Sequence, residues 1–111
     1  MSDKIVVIIS TAEAEKARTG MMYAVNALVQ KWMSDVKLIF FGPAQELLLE
    51  DVIMKDFLLQ FQQAEGKAVS CKFIADRDET DKDTAALGVK VEYVGSMISD
   101  LIKDGYVPLI W

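Results

Sequence analysis

Two kinds of apolar pattern alternate along the chain: short continuous runs, and longer segments with apolar residues at helical spacing. Residues 5–9 and 36–41 are apolar almost throughout, which is typical of central parallel strands covered on both faces. Residues 89–94 instead alternate between apolar and charged, and Pro108 interrupts the last run, 106–111. A solvent-exposed face, as in the first of these runs, and a missing backbone N–H donor, as in the second, are tolerated at sheet edges. Both strands are therefore predicted to be edge strands.

Between these strands the spacing predicts helices. Ser10 and Glu13 have the spacing of a capping box that opens a helix running to about residue 33. Its apolar stripe is broad, comprising Met21, Met22, Val25, Leu28, Val29, Trp32 and Met33. A stripe of this width either lies entirely in the core or extends into a subunit contact, and both interpretations stay open. The pattern of residues 44–49 predicts a short helical turn. The pattern of residues 51–65 predicts a helix that ends at Gly66, and residues 95–103 are predicted to form the last helix.

The alternation of strands and helices predicts a three-layer α/β/α domain with a five-stranded parallel sheet. Residues 67–70 supply the third strand. An order of 4-3-2-1-5 places the fourth and fifth strands at the edges and the two most apolar strands inside, as their patterns require. The 111 residues form a single predicted domain, 1–111, without repeats or linkers.

Composition narrows the classes of function. The net charge of −5 argues against nucleic acid and anionic membrane surfaces as partners. The hydrophobic fraction of 52% is high for a small domain and favours a homo-oligomer. The absence of histidine excludes histidine metal sites and Ser-His-Asp triads. A lone cysteine, a start unlike a signal peptide and the lack of a long apolar stretch favour a cytosolic protein.

Ligands of parallel α/β sheets bind beyond the carboxyl ends of the strands. Four predicted loops meet there, and they carry Ser10, Thr11, Gly42, Pro43, Cys71, Lys72, Gly95 and Ser96. The only cysteine, Cys71, is the strongest candidate nucleophile in the sequence, because the N-terminus of the following helix and Lys72 would both favour its thiolate form. The alternative is an inert, buried thiol.

Other candidate sites are weaker. The acidic run Asp76, Asp78, Glu79, Asp81 and Asp83 does not have the spacing of a calcium loop, and we expect it to be a solvated loop or lid. The first βα loop has no glycine-rich phosphate motif, and Gly95-Ser96 is more typical of an ordinary helix cap than of an anion site. No metal and no cofactor is predicted.

Several segments taken in order resemble the DsrE/DsrF-like (YchN-like) family. They are residues 4–11 with the helix containing Ala24-Val25-Asn26-Ala27, residues 36–43, Ser70-Cys71-Lys72, residues 88–95, residues 98–102 and residues 105–109. The resemblance covers most of the chain, although no single motif is specific. It implies a sheet of order 4-3-2-1-5, trimers or hexamers, and a persulfide carried by a cysteine after the third strand, the position of Cys71. The acidic stretch 76–83 departs from the family pattern, so docking partners are expected to differ.

Three functions follow as hypotheses. In the first, the protein is a sulfurtransferase or sulfur-carrier subunit in which Cys71 holds a persulfide and passes it to an acceptor thiol. In the second, it is a non-enzymatic binding or assembly module whose cysteine is incidental, which requires Cys71 to be buried. A third, a peroxide-reducing thiol enzyme, is weakened because the chain has no resolving cysteine.

Overall fold

The computed structural model describes residues 3–111. The strands are β1 Lys4–Ile9, β2 Asp35–Phe40, β3 Ala68–Cys71, β4 Lys90–Glu92 and β5 Val107–Ile110. The helices are α1 Ala14–Val29, α2 Ala44–Glu50, α3 Val52–Gln63, α4 Lys72–Arg77, α5 Asp81–Ala86 and α6 Val94–Lys103.

The five strands form one parallel sheet in the order β4-β3-β2-β1-β5. This confirms the predicted three-layer α/β/α fold and its strand order. β1 and β2 are paired along their whole length, from Lys4 opposite Asp35 to Ile9 opposite Phe40. Pro108 lies in the edge strand β5 and Lys90 in the edge strand β4, so both irregular patterns fall where the sheet tolerates them.

Alternating side chains of the sheet enter two separate apolar cores. Ile5, Val7, Leu38 and Phe40 face α1 and α3 and belong to the larger core, which also contains helix residues such as Met21, Ala24, Met54 and Leu58. Val6, Ile8 and Ile39 face the opposite side, where α6 supplies most of the cover through Val94, Met97, Ile98 and Leu101. The α6 side is therefore covered by fewer long helices than the α1 side.

The predicted capping box is wrong. α1 begins at Ala14 with Glu13 as its N-cap, and no side chain caps it. The backbone N–H groups of Ser10 and Thr11 instead donate to the backbone oxygen of Trp111, at 2.6 and 3.2 Å. This contact draws residues 10–13 into a connecting loop before the helix starts. The helix also ends at Val29 rather than near residue 33, because Lys31 takes a left-handed conformation (φ 56°).

The sequence predicted a loop for the acidic run, and this is wrong, because the run spans two short helices. Asp76 lies in α4, Asp81 and Asp83 lie in the first turn of α5, and the turn between the helices passes through Glu79 at a positive φ of 57°. Acidic residues in a first helical turn are stabilised by the positive end of the helix dipole. Thr84 of α5 is fully buried, so the segment is attached to the domain.

A smaller correction concerns the end of α3. The left-handed residue there is Glu65 (φ 67°) and not the predicted terminator, Gly66. A Cβ atom on Gly66 would lie 2.5 Å from the ring of Phe61, which is fully buried. Gly66 is therefore needed for the close approach of that ring rather than for a backbone turn.

Candidate functional site

Three of the four predicted loops are joined by direct contacts at the carboxyl end of the sheet. The backbone carbonyl of Ser10 accepts from the N–H of Ala44 at 3.1 Å. Gly42 has a φ of +121°, and a Cβ atom there would lie 2.8 Å from the Ser10 hydroxyl oxygen. The side chain of Gln45 accepts from the Gly42 N–H and donates to the Cys71 carbonyl, both at 3.0 Å. The loops after β1, β2 and β3 thus form one hydrogen-bonded cluster.

Gln45 is the member of this cluster that sequence reasoning missed. It is 1% exposed, and both ends of its amide are hydrogen-bonded to backbone groups of neighbouring loops. A buried amide with both ends satisfied fixes the relative positions of the loops that it joins. The sequence offered little signal for Gln45, because Glu46 beside it is also polar and only the structure shows which of the two faces the interior.

Cys71 lies at the end of β3 but faces the interior. The residue is 5% exposed, and its side chain belongs to the core on the α6 side with Val6, Ile39, Val94 and Tyr106. A thiol surrounded by apolar side chains is shielded from solution reagents. Cys71 is therefore buried, as the binding-module hypothesis requires.

The charges near Cys71 are already paired. The Lys72 ammonium lies 2.8 Å from the Asp76 carboxylate, and this hydrogen bond, with the accompanying charge attraction, raises the pKa of Lys72. The Arg77 guanidinium lies 2.9 Å from Asp78. The hydrogen bond and the charge of Asp78 raise the pKa of Arg77, burial opposes this, and the charge of an ionised Cys71 adds a smaller increase. The direct partner of Arg77 is therefore Asp78, and the effect of the Cys71 sulfur on Arg77 is weak by comparison.

The remaining predicted residues have separate surroundings. Thr11 accepts from the Glu13 N–H at 3.0 Å, so its hydroxyl supports the loop before α1. Pro43 is exposed and precedes α2. Gly95 and Ser96 lie in the first turn of α6, which confirms the predicted helix over residues 95–103 rather than a loop before it. Apart from its chain neighbours and the backbone of its own helix, no atom lies within 4 Å of a Cβ placed on Gly95. Of the four loops predicted to form one site, only the loops after β1, β2 and β3 are therefore joined.

The buried hydroxyl of Ser70, next to Cys71, has no hydrogen-bond partner among the described residues and is fully buried. It belongs to the opposite face of β3, since successive side chains of a strand alternate. Ser70 is therefore not part of a dyad with Cys71. In the described part of the chain, no group of three or more carboxylate or thiol side chains is placed to hold a metal ion.

Two grooves lie beside α6, and both are lined by Met97 and Leu101 of that helix. One, of about 240 Å³, runs over β2, β3 and β4 and is lined by Lys37, Ile39, Lys67, Val69, Lys90 and Met97, among others. The other, of about 540 Å³, is shallower and more acidic, with Glu92, Ser96, Asp100 and Asp104. Cys71 lines neither groove. Among residues 3–111, no helix has the length and apolar content needed to cross a membrane.

No protein-family model matches the chain, and no curated protein matches it. Among solved structures, it is similar to a conserved protein of unknown function from Bacteroides thetaiotaomicron, with a TM-score of 0.90 and 21% sequence identity. The match covers 98% of this chain and 95% of that chain. At this identity the likeness shows the fold alone. The resemblance to the DsrE/DsrF-like family, and the sulfur chemistry that it implies, stay predictions.

Proposed function

We propose that the protein is a non-enzymatic binding and assembly module in which Cys71 is a core residue. The observation that carries this proposal is the 5% exposure of Cys71 in an apolar cluster. A persulfide donor must bring its outer sulfur into contact with the attacking sulfur. Burial prevents that approach unless the end of β3 or α4 opens, and assembly into an oligomer can only bury the thiol further.

Exposed apolar side chains support the assembly part of the proposal. Met22 and Val29 on α1 are 48% and 50% exposed, and Val52 and Leu59 on α3 are 76% and 51% exposed. α1 and α3 pack on the same side of the sheet, so their outward surfaces belong to one side of the domain. Exposed apolar groups in this number favour contact with another subunit. We propose a homo-oligomer, a trimer or hexamer as the family resemblance implies, in the reducing cytosol that a lone thiol favours.

Sulfur carriage on Cys71 is the second candidate, favoured by the position of the thiol at the carboxyl end of β3, within electrostatic reach of Arg77. The Cys71 thiolate would attack the outer sulfur of a donor persulfide, R–S–SH. The donor S–S bond would break, R–S⁻ would leave, and Cys71–S–SH would form without net oxidation. An acceptor thiolate would then remove the outer sulfur and regenerate the Cys71 thiolate.

Mass spectrometry after incubation with inorganic polysulfide separates the two candidates. We expect the folded protein to gain no sulfur atom at Cys71, because the thiol is shielded, whereas protein unfolded in urea should gain sulfur readily. Cys71→Ser is the matched control in both conditions. Stoichiometric addition of sulfur to the folded protein that is absent in Cys71→Ser would contradict the proposal and establish the carrier function.

A further inference from the structure

Lysines are concentrated on the open part of the sheet face beside α6. Leu38 lies opposite Ala68 in the β2–β3 register, which places Lys37 and Lys67 at the same level of neighbouring strands. Val69 lies opposite Lys90 in the β3–β4 register. All three lysines line the groove of about 240 Å³. A protein of net charge −5 thus places three lysines and a single carboxylate, that of Glu92, around one depression.

The cluster is only partly neutralised. The Lys37 ammonium lies 3.3 Å from Asp35, but that carboxylate also accepts a hydrogen bond from the Tyr106 hydroxyl. The Lys90 ammonium lies 3.8 Å from Glu92, at the limit of an ion pair. Within residues 3–111, Lys67 forms no ion pair. Lys37 and Lys67 are at the same level of adjacent strands, where like charges repel, and Lys90 lies two residues further along. The Glu92 carboxylate also lines the groove, so three lysines against one carboxylate leave an excess of positive charge that favours an anion.

Protection of a sheet edge does not account for this arrangement. Lysine on an edge strand prevents unwanted strand pairing, and Lys90 in β4 fits that role. Lys37 and Lys67, however, belong to β2 and to the residue before β3, and both strands are internal. Their ammonium groups therefore have no edge to protect, and a cluster spanning three strands needs another explanation.

The lining of the groove is partly apolar. Ile39 and Val69 come from the sheet, and Met97 and Leu101 come from α6, so aliphatic and thioether groups line the same groove as the lysines. The unbranched side chain of methionine adapts to ligands of different shape. The volume is below the usual range for drug-sized ligands. Lysines and apolar side chains in one groove are complementary to a small molecule that carries both a negative charge and an apolar body.

We propose that this groove binds a small amphipathic carboxylate, with its apolar body along Val69, Met97 and Leu101 and its carboxylate among the lysines. Lys67 is the principal anion contact, since it forms no ion pair in the described part of the chain. The inference deepens the proposed function, on which it rests, by naming the ligand class of the binding module. It makes no use of Cys71.

Titration with octanoate, followed by the NMR signal of the Met97 methyl group, tests the proposal on the full chain. We expect a saturable shift, and Lys67→Ala should weaken octanoate binding about tenfold by removing a charge-assisted contact. Lys16→Ala is the matched control, because Lys16 is an exposed lysine on α1, on the opposite side of the sheet. Octanol, which lacks the charge, and acetate, which lacks the apolar body, should each bind at least about tenfold more weakly.

Three results would overturn the proposal: no saturable shift of Met97, equal binding of octanol and octanoate, or equal octanoate affinity in wild type and Lys67→Ala. A groove covered by a second copy of the chain or by another protein gives the first of these results. Failure here leaves the sulfur-loading experiment unaffected, and sulfur loading of the folded protein would in turn leave this titration unaffected. The two proposals therefore fail separately.

Discussion

Replacing Asp51 by alanine should lower the free energy of unfolding by about 3 kcal/mol, the usual cost of breaking a largely buried ion pair. The Asp51 carboxylate is 5% exposed and accepts from Arg18 at 2.7 and 3.1 Å. It also caps α3 by accepting from the Met54 N–H at 3.0 Å. The substitution removes the cap and leaves a guanidinium that is only 35% exposed without its partner. Urea unfolding followed by circular dichroism measures the loss.

The loss should depend on pH in a defined direction. The hydrogen bond from Arg18 lowers the pKa of Asp51, burial opposes this, and the Met54 N–H adds to the lowering. A carboxylate whose pKa is lowered on folding stabilises the protein above its unfolded pKa, about 3.9, and loses that effect as the pH falls through the folded value. The gap between wild type and Asp51→Ala should therefore narrow below about pH 4. Asp56→Asn, at an exposed site on α3, is the control; a gap that persists unchanged in strong acid would contradict the account.

Replacing Gly20 by alanine should destabilise the protein by about 2 kcal/mol, although alanine is the better helix former. A Cβ atom on Gly20 would lie 2.6 Å from Ile9 Cδ1 and 2.7 Å from Trp111 Cγ. Ile9 is fully buried in the central strand, so the ring of Trp111 or α1 itself must shift. Thermal unfolding followed by near-ultraviolet circular dichroism should show a lower midpoint and a changed environment of the tryptophans.

Gly95→Ala is the matched control, because it makes the same change in another helix. Nothing lies within 4 Å of a Cβ at Gly95, so we expect a gain of up to about 0.5 kcal/mol from helix propensity alone. Opposite signs for the two substitutions would show that close packing, and not glycine in general, determines the loss at Gly20. Destabilisation of equal size at both positions would contradict this interpretation.

The strand order was accessible from sequence because it depends on properties of single strands. The alternation around Lys90 and Glu92 and the proline at position 108 both mark strands with one unpaired side, whichever helices cover the sheet. The largely apolar β1 and β2 then occupy the interior by elimination. Such local patterns survive folding because the pleat fixes which residues share a face.

The burial of the Cys71 side chain could not be predicted in the same way. Its exposure depends on Val94 and Tyr106, which are far away in sequence and reach it only because α6 crosses this face of the sheet. The failed capping box has a similar cause, because the Ser10 N–H donates to the Trp111 backbone oxygen and the Glu13 N–H donates to Thr11 instead. In both places a distant segment determines an outcome that the local sequence leaves open or predicts wrongly.

The acidic run shows a third limit of prediction from sequence. Its charges indicated a solvated loop, yet two short helices form there because acidic first-turn residues suit a helix N-terminus and Thr84 anchors α5 in the interior. Charge density predicted solvent exposure of Asp78 and Glu79 correctly. It did not predict the backbone conformation, since helical and irregular segments expose charged side chains equally well.

The rate at which iodoacetamide alkylates Cys71 tests the central claim, that this thiol is a core residue, most directly. The rate should be compared at neutral pH between the folded protein and the protein in urea, with the adduct counted by mass spectrometry. We expect alkylation in the folded state to be at least about a hundredfold slower, because reaction requires local opening of the α6-side core. Alkylation of the folded protein as fast as in urea, or faster, would contradict the account and favour sulfur carriage on Cys71.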